Sequence, residues 1–277
     1  MIDTKYAVHP FDVKSYDTQR LRKEFHTAKL MELDKVNLVY THYDRFIYGG
    51  IMPANQSVEL PVYNELKSDY FLERREIGIL NIGNTGIVEA DGEIFELENL
   101  ECLYLGKGTQ KVLFKSNDSS NPAKFYINST PAHVNHPNAK GSINDANQVY
   151  LGSQESCNER VIFQYIHENG IQSCQLVMGF TELKSGSIWN TFPPHVHERR
   201  MEVYFYFDLP EKQVVMHFMG QPQETRHIAM LNEEAVVSPP WSIHSGAGTM
   251  AYKFAWGMGG ENKAFSDMDA VLLTDVK

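Results

Sequence analysis

The chain has 277 residues, 42% of them hydrophobic and 22% charged, with a formal net charge of −10. This composition predicts an ordinary globular protein of one or two domains and excludes a disordered, collagen-like or coiled-coil chain. The acidic charge argues against a general nucleic-acid or membrane-surface binder. The sequence contains no apolar run of about 18 residues, so no transmembrane helix is predicted. Three scattered cysteines and the lack of a visible signal peptide predict a cytoplasmic location.

The first part of the chain predicts one helix followed by a run of strands. Residues 14–35 show helical periodicity with Leu21 and Phe25 on the apolar face, and residues 62–72 predict a second, short helix. Asp91-Gly92 between two strand-like runs indicates a hairpin. The predicted strands of this part cover residues 77–82, 86–90, 93–97, 101–105 and 111–116.

The second part begins after a segment rich in Asn, Ser, Pro and Gly, residues 115–150, which we interpret as a loop-rich link. Strands are then predicted over residues 161–167, 173–183, 187–191, 202–209, 213–219, 225–231, 235–238 and 250–256. Each half therefore resembles a small antiparallel barrel or sandwich, and we divide the chain at 1–145 and 146–277. We find no sequence repeat between the halves and no glycine-rich phosphate loop.

One stretch carries a pattern of metal ligands, Pro193-Pro194-His195-Val196-His197-Glu198-Arg199-Arg200-Met201-Glu202. Histidines two apart on an extended strand point to the same face, about 6 to 7 Å apart. A turn at residues 198–200 can bring Glu202 back toward them, and a proline-rich turn ends at a further candidate, His244. Three histidines and one carboxylate suit zinc, manganese, iron or nickel.

The spacing of these four residues resembles the metal motifs of the cupin superfamily. The wider segments Trp189-Asn190-Thr191-Phe192-Pro193-Pro194-His195-Val196-His197, Glu202 to Phe207 and Thr41-His42-Tyr43-Asp44-Arg45 resemble its sugar-acid isomerase branch. Over its whole length the chain is similar to the 5-keto-4-deoxyuronate isomerase family. This resemblance implies an all-β fold of two cupin-like antiparallel barrels with a short N-terminal helical segment, the first barrel being degenerate.

The resemblance also implies the cofactor, the assembly and the reaction. It implies one Zn²⁺ per subunit, held by His195, His197, Glu202 and His244, and a homohexamer. The implied reaction converts 5-dehydro-4-deoxy-D-glucuronate to 3-deoxy-D-glycero-2,5-hexodiulosonate in pectin degradation. Three alternatives stay open: a 5-deoxyglucuronate isomerase of inositol catabolism, a metal-dependent bicupin dioxygenase, and a sugar-acid-binding module without turnover. The zinc itself is either catalytic or structural.

The sequence does not identify the general base of such a reaction. Candidates for a catalytic role are Tyr204, Tyr206, Lys184 and Glu261, and Asp208 shares the predicted inward face of Glu202. Because the chain is acidic overall, a substrate carboxylate needs local positive charge. The candidates for that contact are the arginines near the predicted barrel strands, Arg160, Arg199, Arg200 and Arg226.

Other polar clusters are predicted to carry no chemistry. His133 and His136 lack a matching carboxylate strand, so we expect no second metal site. Cys157 and Cys174 lack an activating neighbour, so neither is expected to act as a nucleophile. The charge run Glu73-Arg74-Arg75-Glu76 predicts a solvated face.

Overall fold

The computed structural model describes residues 2–261, 263–264 and 267–277, and in this part of the chain it shows two short α-helices, α1 (Pro10–Val13) and α2 (Thr18–Phe25). The side chain of Asp17 caps α2 by accepting a hydrogen bond from the Arg20 N–H at 2.8 Å. The predicted helix over 14–35 was therefore too long. It ends at Phe25 because His26 and Thr27 adopt an extended conformation and pair with residues 235–236.

The second predicted helix, over 62–72, is reduced to one 3₁₀ turn, Asn64–Leu66. Lys67 follows it in the left-handed region at φ 51°, which ends the turn. No helix of the described residues is long and apolar enough to span a membrane.

β-strands are the dominant regular structure of the chain. The strands up to residue 141 are β1 (Asp3–Lys5), β2 (His26–Thr27), β3 (Val36–Thr41), β4 (Ile47–Ile51), β5 (Val58–Glu59), β6 (Arg75–Asn81), β7 (Gly86–Ala90), β8 (Glu93–Leu97), β9 (Cys102–Leu105), β10 (Val112–Ser116), β11 (Phe125–Pro131) and β12 (Ala139–Gly141). The remaining strands are β13 (Asn147–Leu151), β14 (Arg160–Ile166), β15 (Val177–Leu183), β16 (Trp189–Asn190), β17 (His195–Val196), β18 (Arg200–Phe207), β19 (Val215–Gln221), β20 (Glu224–Met230), β21 (Glu234–Ser238), β22 (Ser245–Gly248), β23 (Lys253–Gly260) and β24 (Asp269–Ala270). A second 3₁₀ turn, Leu273–Asp275, lies near the end of the chain.

The strands form two sets of sheets with the same layout. One set has a seven-stranded sheet in the order β1-β3-β4-β11-β6-β9-β12 and a four-stranded sheet in the order β5-β10-β7-β8. The other has a seven-stranded sheet in the order β13-β14-β15-β23-β18-β21-β2 and a four-stranded sheet in the order β16-β22-β19-β20. A two-stranded ribbon, β17-β24, completes the second set. The prediction of an all-β fold with two antiparallel barrels is confirmed.

The chain divides into two compact units. The first covers the described residues within 1–5, 29–146 and 165–178, and the second covers 6–28, 147–164 and the described residues of 179–277. The division that we predicted, after residue 145, places residues 6–28 in the first part and 165–178 in the second, whereas each segment belongs to the other unit here; the domain boundary remains a proposal.

Two of our other expectations were wrong. The segment 115–150 is not a loop-rich link, because it contains β11, whose residues Phe125–Thr130 are buried between β4 and β6. The charge run at 73–76 is not a solvated face either. Arg75 and Glu76 begin β6 and are only 6% and 0% exposed, because β6 is a central strand of its sheet.

Candidate metal centre and its pocket

The four predicted ligands converge in the second unit although three different strands and loops carry them. His195 lies on β17 and His197 directly after it, Glu202 is the third residue of β18, and His244 directly precedes β22. One donor atom from each residue lies within 4.8 Å of the others. The Nε2 atoms of His195 and His244 are 2.9 Å apart, and Nε2 of His244 lies 3.0 Å from Oε2 of Glu202.

Backbone pairing holds these segments together. The N–H of His197 donates to the carbonyl of Pro240 at 3.1 Å, which ties the histidine pair to the proline-rich turn before His244. Glu202 lies between two partners in the sheet, Ser238 on β21 and Met258 on β23. The turn at residues 198–199 reverses the chain, so β18 carries Glu202 back toward the two histidines.

Hydrogen bonds on the far side of the rings orient two of the imidazoles. The Nδ1 of His197 lies 3.0 Å from the carbonyl oxygen of Asp267, which can only accept, so Nδ1 carries the proton. The Nε2 of His197 is buried, and it has no hydrogen-bond partner of good geometry among the described residues. The Nδ1 of His244 faces Ser238 Oγ at 3.3 Å. A buried nitrogen lone pair beside three other donors fits a bound cation.

The protonation states also suit cation binding. Burial, together with the nearby charges of His244 and His197, lowers the pKa of His195 to about 2, which leaves its ring neutral. Burial acts to raise the pKa of Glu202, but the close contacts of its carboxylate with His244 and His197 outweigh it, so the pKa of Glu202 is lowered. At neutral pH the cluster therefore offers a neutral ring at His195 and an ionised carboxylate at Glu202.

A cavity of about 370 Å³ opens onto this cluster. Two cationic side chains line it, the half-buried Arg160 on β14 and the buried Arg200 at the start of β18. Arg200 donates to the carbonyl oxygens of Ala264 at 2.8 Å and Asp267 at 3.3 Å. The remaining lining residues are Val149, Leu151, Ile162, Gln164, Thr181, Thr191, Phe192, Pro193, His195, His197, Glu202, Tyr204, Phe254, Trp256, Met258 and Met268.

Tyr204 lies on the same face of β18 as Glu202 and lines the cavity. Its hydroxyl is 2.7 Å from that of Thr191, and its ring packs edge-on against the ring of His244 with centroids 5.4 Å apart. Burial and the charge of Glu202 hold the pKa of Tyr204 well above its usual range. The phenol is therefore neutral near pH 7 and able to donate a hydrogen bond.

The structure separates the other predicted residues from this cavity. Tyr206 is buried, and its hydroxyl lies 2.8 Å from His217 Nδ1. Arg199 and Glu261 form an exposed ion pair with each other. Lys184 pairs with Glu182 at 3.3 Å, and Arg226 pairs with Glu224 at 2.9 Å. None of these residues lines the cavity.

Sequence reasoning missed several polar residues of the pocket. Thr191, which holds the Tyr204 hydroxyl, lies inside the Trp-Asn-Thr-Phe-Pro-Pro segment quoted above but was given no role. Gln164 lies on the same face of β14 as Arg160, and the two-residue alternation of a strand was the signal that could have found it. His217, which lies outside the cavity lining, was also given no role and is fully buried against Tyr206.

Two β-barrels, one of which carries a His₃Glu cluster in a pocket, define a protein of the bicupin class. The profile of the KduI/IolB family matches residues 29–271, and the chain belongs to this family. A 4-deoxy-L-threo-5-hexosulose-uronate ketol-isomerase of Formosa agariphila is 54% identical over 275 residues, covering 99% of this chain and 98% of the relative. One of the same name from Oceanobacillus iheyensis is 50% identical over 277 residues, with both chains fully covered.

A solved structure shows the same fold. An IolB-like protein from Salmonella typhimurium superposes with a TM-score of 0.72 over 89% of this chain and 96% of its own, at 13% sequence identity.

Proposed function

We propose that this protein is a metal-dependent ketol-isomerase that converts 5-dehydro-4-deoxy-D-glucuronate to 3-deoxy-D-glycero-2,5-hexodiulosonate in pectin and uronate degradation. The observation that carries the proposal is the name shared by relatives that are 50–54% identical over 98–100% of both chains. The pocket supports it chemically, because it joins two cationic side chains with a cluster of metal-ligand type.

The resident cofactor that we propose is one Zn²⁺ per chain, held by His195, His197, Glu202 and His244. Three neutral imidazoles and one carboxylate are a common donor set for zinc. When bound, the ion supplies positive charge that stabilises negative charge developing on the substrate oxygens. The two hydrogen bonds of Arg200 steady the chain around the Asp267 carbonyl, which in turn orients the ring of His197.

We assign recognition of the substrate carboxylate to Arg160. Its side chain lines the cavity, and its Nη1 donates to the carbonyl of Asn158 at 2.8 Å, which leaves further guanidinium donors for a ligand. Burial lowers the pKa of Arg160 but does not bring it near neutrality. Arg200 donates two hydrogen bonds to backbone carbonyls, so we propose that it positions the chain around the metal centre.

We assign Tyr204 a direct role in the proton transfer. Glu202 is the one carboxylate among the described residues lining the cavity, but as a proposed metal ligand with a lowered pKa it is a weak base, so we do not assign it the proton from C2. The electron pair of the C2–H bond forms a C1–C2 double bond, and the π electrons of the C1 carbonyl move onto O1. A proton then passes from O2 to O1, the C2 carbonyl forms, and the electron pair of the C1–C2 double bond takes up a proton at C1. Tyr204, as a neutral phenol, donates a hydrogen bond to the oxygen that gains negative charge. The net change is an isomerisation without a redox cofactor.

The same family membership leads us to propose a homohexamer that acts in the cytoplasm on an anionic small molecule, without nucleic-acid or membrane partners. Size-exclusion chromatography with light scattering tests the assembly. A mass that corresponds to a monomer would contradict it.

The deciding experiment incubates the metal-replete protein separately with 5-dehydro-4-deoxy-D-glucuronate and with 5-deoxyglucuronate and follows the products by NMR. We expect turnover of the first compound without consumption of oxygen. Turnover of 5-deoxyglucuronate alone would assign the chain to the inositol branch, and oxygen uptake would indicate a dioxygenase. Binding of either compound without formation of product would indicate a sugar-acid-binding module without enzymatic activity.

A variant tests the carboxylate contact. Arg160→Gln is expected to raise KM about 10- to 150-fold, the effect of losing one charge-assisted hydrogen bond. Arg226→Gln is the matched control, because Arg226 pairs with Glu224 away from the cavity, and it is expected to leave KM unchanged. Equal KM values for the two variants would show that another group holds the carboxylate.

A further inference from the structure

The first unit contains a cavity of its own, of about 380 Å³, to which the proposed reaction assigns no role. Cationic and polar side chains dominate its lining, which consists of Tyr40, Arg45, Glu65, Leu66, Ser68, Arg74, Arg75 and Pro131. Arg45 belongs to the Thr-His-Tyr-Asp-Arg segment, and Arg75 belongs to the charge run at the start of β6.

This cavity occupies the place in its barrel that the metal pocket occupies in the other. Arg75 is the first residue of β6 and pairs with Pro131, the last residue of β11. Arg200 is the first residue of β18 and pairs with Gly260, the last residue of β23. The two central strands have equivalent positions in the two seven-stranded sheets, and each begins after a Glu-Arg dipeptide. The two cavities therefore lie at corresponding barrel ends.

The buried Arg75 in this cavity forms no ion pair with a carboxylate of the described residues. Arg75 donates to Ser129 Oγ at 3.1 Å, to the Ser129 carbonyl at 2.7 Å and to the Arg45 carbonyl at 2.8 Å, all of which are neutral acceptors. Neither Arg75 nor Arg45 forms an ion pair with a carboxylate among the described residues, whereas Arg74 pairs with Glu73 at 3.2 Å. Burial lowers the pKa of Arg75 to about 9; the charges of Tyr40 and Glu76 oppose this shift and that of Arg45 adds to it, so Arg75 stays charged at pH 7. A charge held in this way favours an anion.

Two further groups indicate what kind of anion fits. Ser68 Oγ is buried and has no hydrogen-bond partner among the described residues. Glu65 adds one negative charge to the lining, which disfavours a dianion such as phosphate but provides an acceptor for hydroxyl groups. We propose that this cavity is a second ligand site, which binds a small hydroxylated organic acid with its carboxylate between Arg45 and Arg75 and its hydroxyls toward Ser68 and Glu65.

Calorimetric titration tests the site, with D-galacturonate, uncharged D-galactose and inorganic phosphate as separate probes. The metal-replete protein carries Arg160→Gln to weaken the pocket at the metal centre, and the titrations are repeated without that substitution. We expect D-galacturonate to bind, D-galactose not to bind, and Arg45→Gln to weaken D-galacturonate binding about 10- to 150-fold in both backgrounds. The control Lys111→Gln removes the same charge from an exposed residue outside the cavity and should change nothing.

The titrations can contradict either the existence of the site or the class of ligand. Equal affinity in Arg45→Gln and Lys111→Gln, or no D-galacturonate binding beyond the metal pocket, overturns the site. Binding of phosphate but not D-galacturonate overturns the organic-acid assignment. If Arg45→Gln fails to fold, Arg45→Lys serves instead. It keeps the positive charge but loses the bidentate hydrogen bonds to the ligand carboxylate, and it should weaken binding at least several-fold. None of these results depends on turnover of the isomerase substrate.

Discussion

The two barrels share one strand order. They differ in the side chains on one face of the central strand, the face that starts with Arg75 on β6 and with Arg200 on β18. Two residues after Arg75 comes Ile77, and two residues after Arg200 comes Glu202. The next residue on the same face is Ile79 in the first barrel and Tyr204 in the second. Ile77 and Ile79 belong to a continuous apolar cluster, whereas Glu202 and Tyr204 line a cavity. Beyond the first residue of the strand, the same framework thus forms packed core in the first unit and the lining of the metal pocket in the second.

The first barrel does contain a buried carboxylate on the equivalent strand, but one residue out of step. Glu76 directly precedes Ile77 on β6, and side chains alternate along a strand, so the Glu76 side chain points to the other face of β6. There it accepts hydrogen bonds from Tyr104 Oη at 2.8 Å, Thr130 Oγ1 at 3.0 Å and the N–H groups of residues 174–176 at 2.7 to 2.9 Å. A carboxylate occupied in this way stabilises the fold and is not free to bind a metal.

The largest expected effect is the loss of metal from the second barrel alone. His197→Ala removes a proposed ligand whose Nε2 faces the cluster, so we expect metal affinity to fall by at least about 100-fold and kcat by about 1000-fold. His136→Ala, in the first barrel, is the control and should leave about one metal per chain by elemental analysis. Two metals per chain, one of them lost in the control, would contradict the single-site assignment.

The second effect is on stability in the first barrel. Glu76→Gln places an amide NH₂ group among hydrogen-bond donors, so at least one buried donor loses its acceptor. We expect the free energy of unfolding to fall by about 3 kcal/mol, measured by urea denaturation, with bound metal unchanged. The neighbouring substitution Glu73→Gln, on a partly exposed side chain, should cost less than about 1 kcal/mol. A Glu76→Gln variant as stable as Glu73→Gln would show that this carboxylate is not structural.

The contrast between the barrels explains which features could be predicted from sequence. The fold class and the clustering of His195, His197, Glu202 and His244 followed from strand patterning and motif spacing. The burial of Arg75 and Glu76 did not, because four charged residues in a row normally indicate solvent. Glu76 is held by Tyr104, Thr130 and residues 174–176, and Arg75 by Ser129, all of which are distant in sequence. The end of α2 was missed for the same reason, since β2 pairs with a strand more than 200 residues away.

A third, smaller effect separates catalysis from packing in the second barrel. Tyr204→Phe keeps the ring against His244 but removes the hydroxyl bonded to Thr191. If the phenol donates to the reacting oxygen, kcat should fall about 10- to 100-fold with metal content and melting temperature nearly unchanged. Tyr206→Phe, deeper in the barrel against His217, is the matched control and should leave kcat within a few-fold of wild type. A larger loss of kcat in the control would move the catalytic role from Tyr204 to Tyr206.

The smallest expected effect concerns the edge strands, where each barrel has an acid–base pair. In the second barrel, Nε2 of His26 on β2 lies 2.8 Å from Glu234 Oε2 on β21, with both side chains buried. In the first barrel, the equivalent strands β12 and β9 are bridged by Lys140 on β12 and Glu101 just before β9, at 2.6 Å and with 36% of the lysine side chain exposed. A buried pair is screened less by solvent than an exposed one.

The pH dependence of stability distinguishes these two pairs. Burial acts to raise the pKa of Glu234, but hydrogen bonds from His26 and the Leu231 N–H outweigh it, so the pKa of Glu234 is lowered on folding. A lowered carboxyl pKa adds stability that is complete above the unfolded value of about 4.3 and is lost as the pH falls through the lower folded value. Glu234→Gln should therefore cost about 1 kcal/mol of unfolding free energy at pH 7, and the difference from wild type should shrink below about pH 4. Glu101→Gln should cost less than Glu234→Gln at pH 7, because solvent screens the pair that it breaks. Urea denaturation of both variants between pH 3 and pH 7 measures this, and a Glu234→Gln difference that grows toward low pH would contradict the sign.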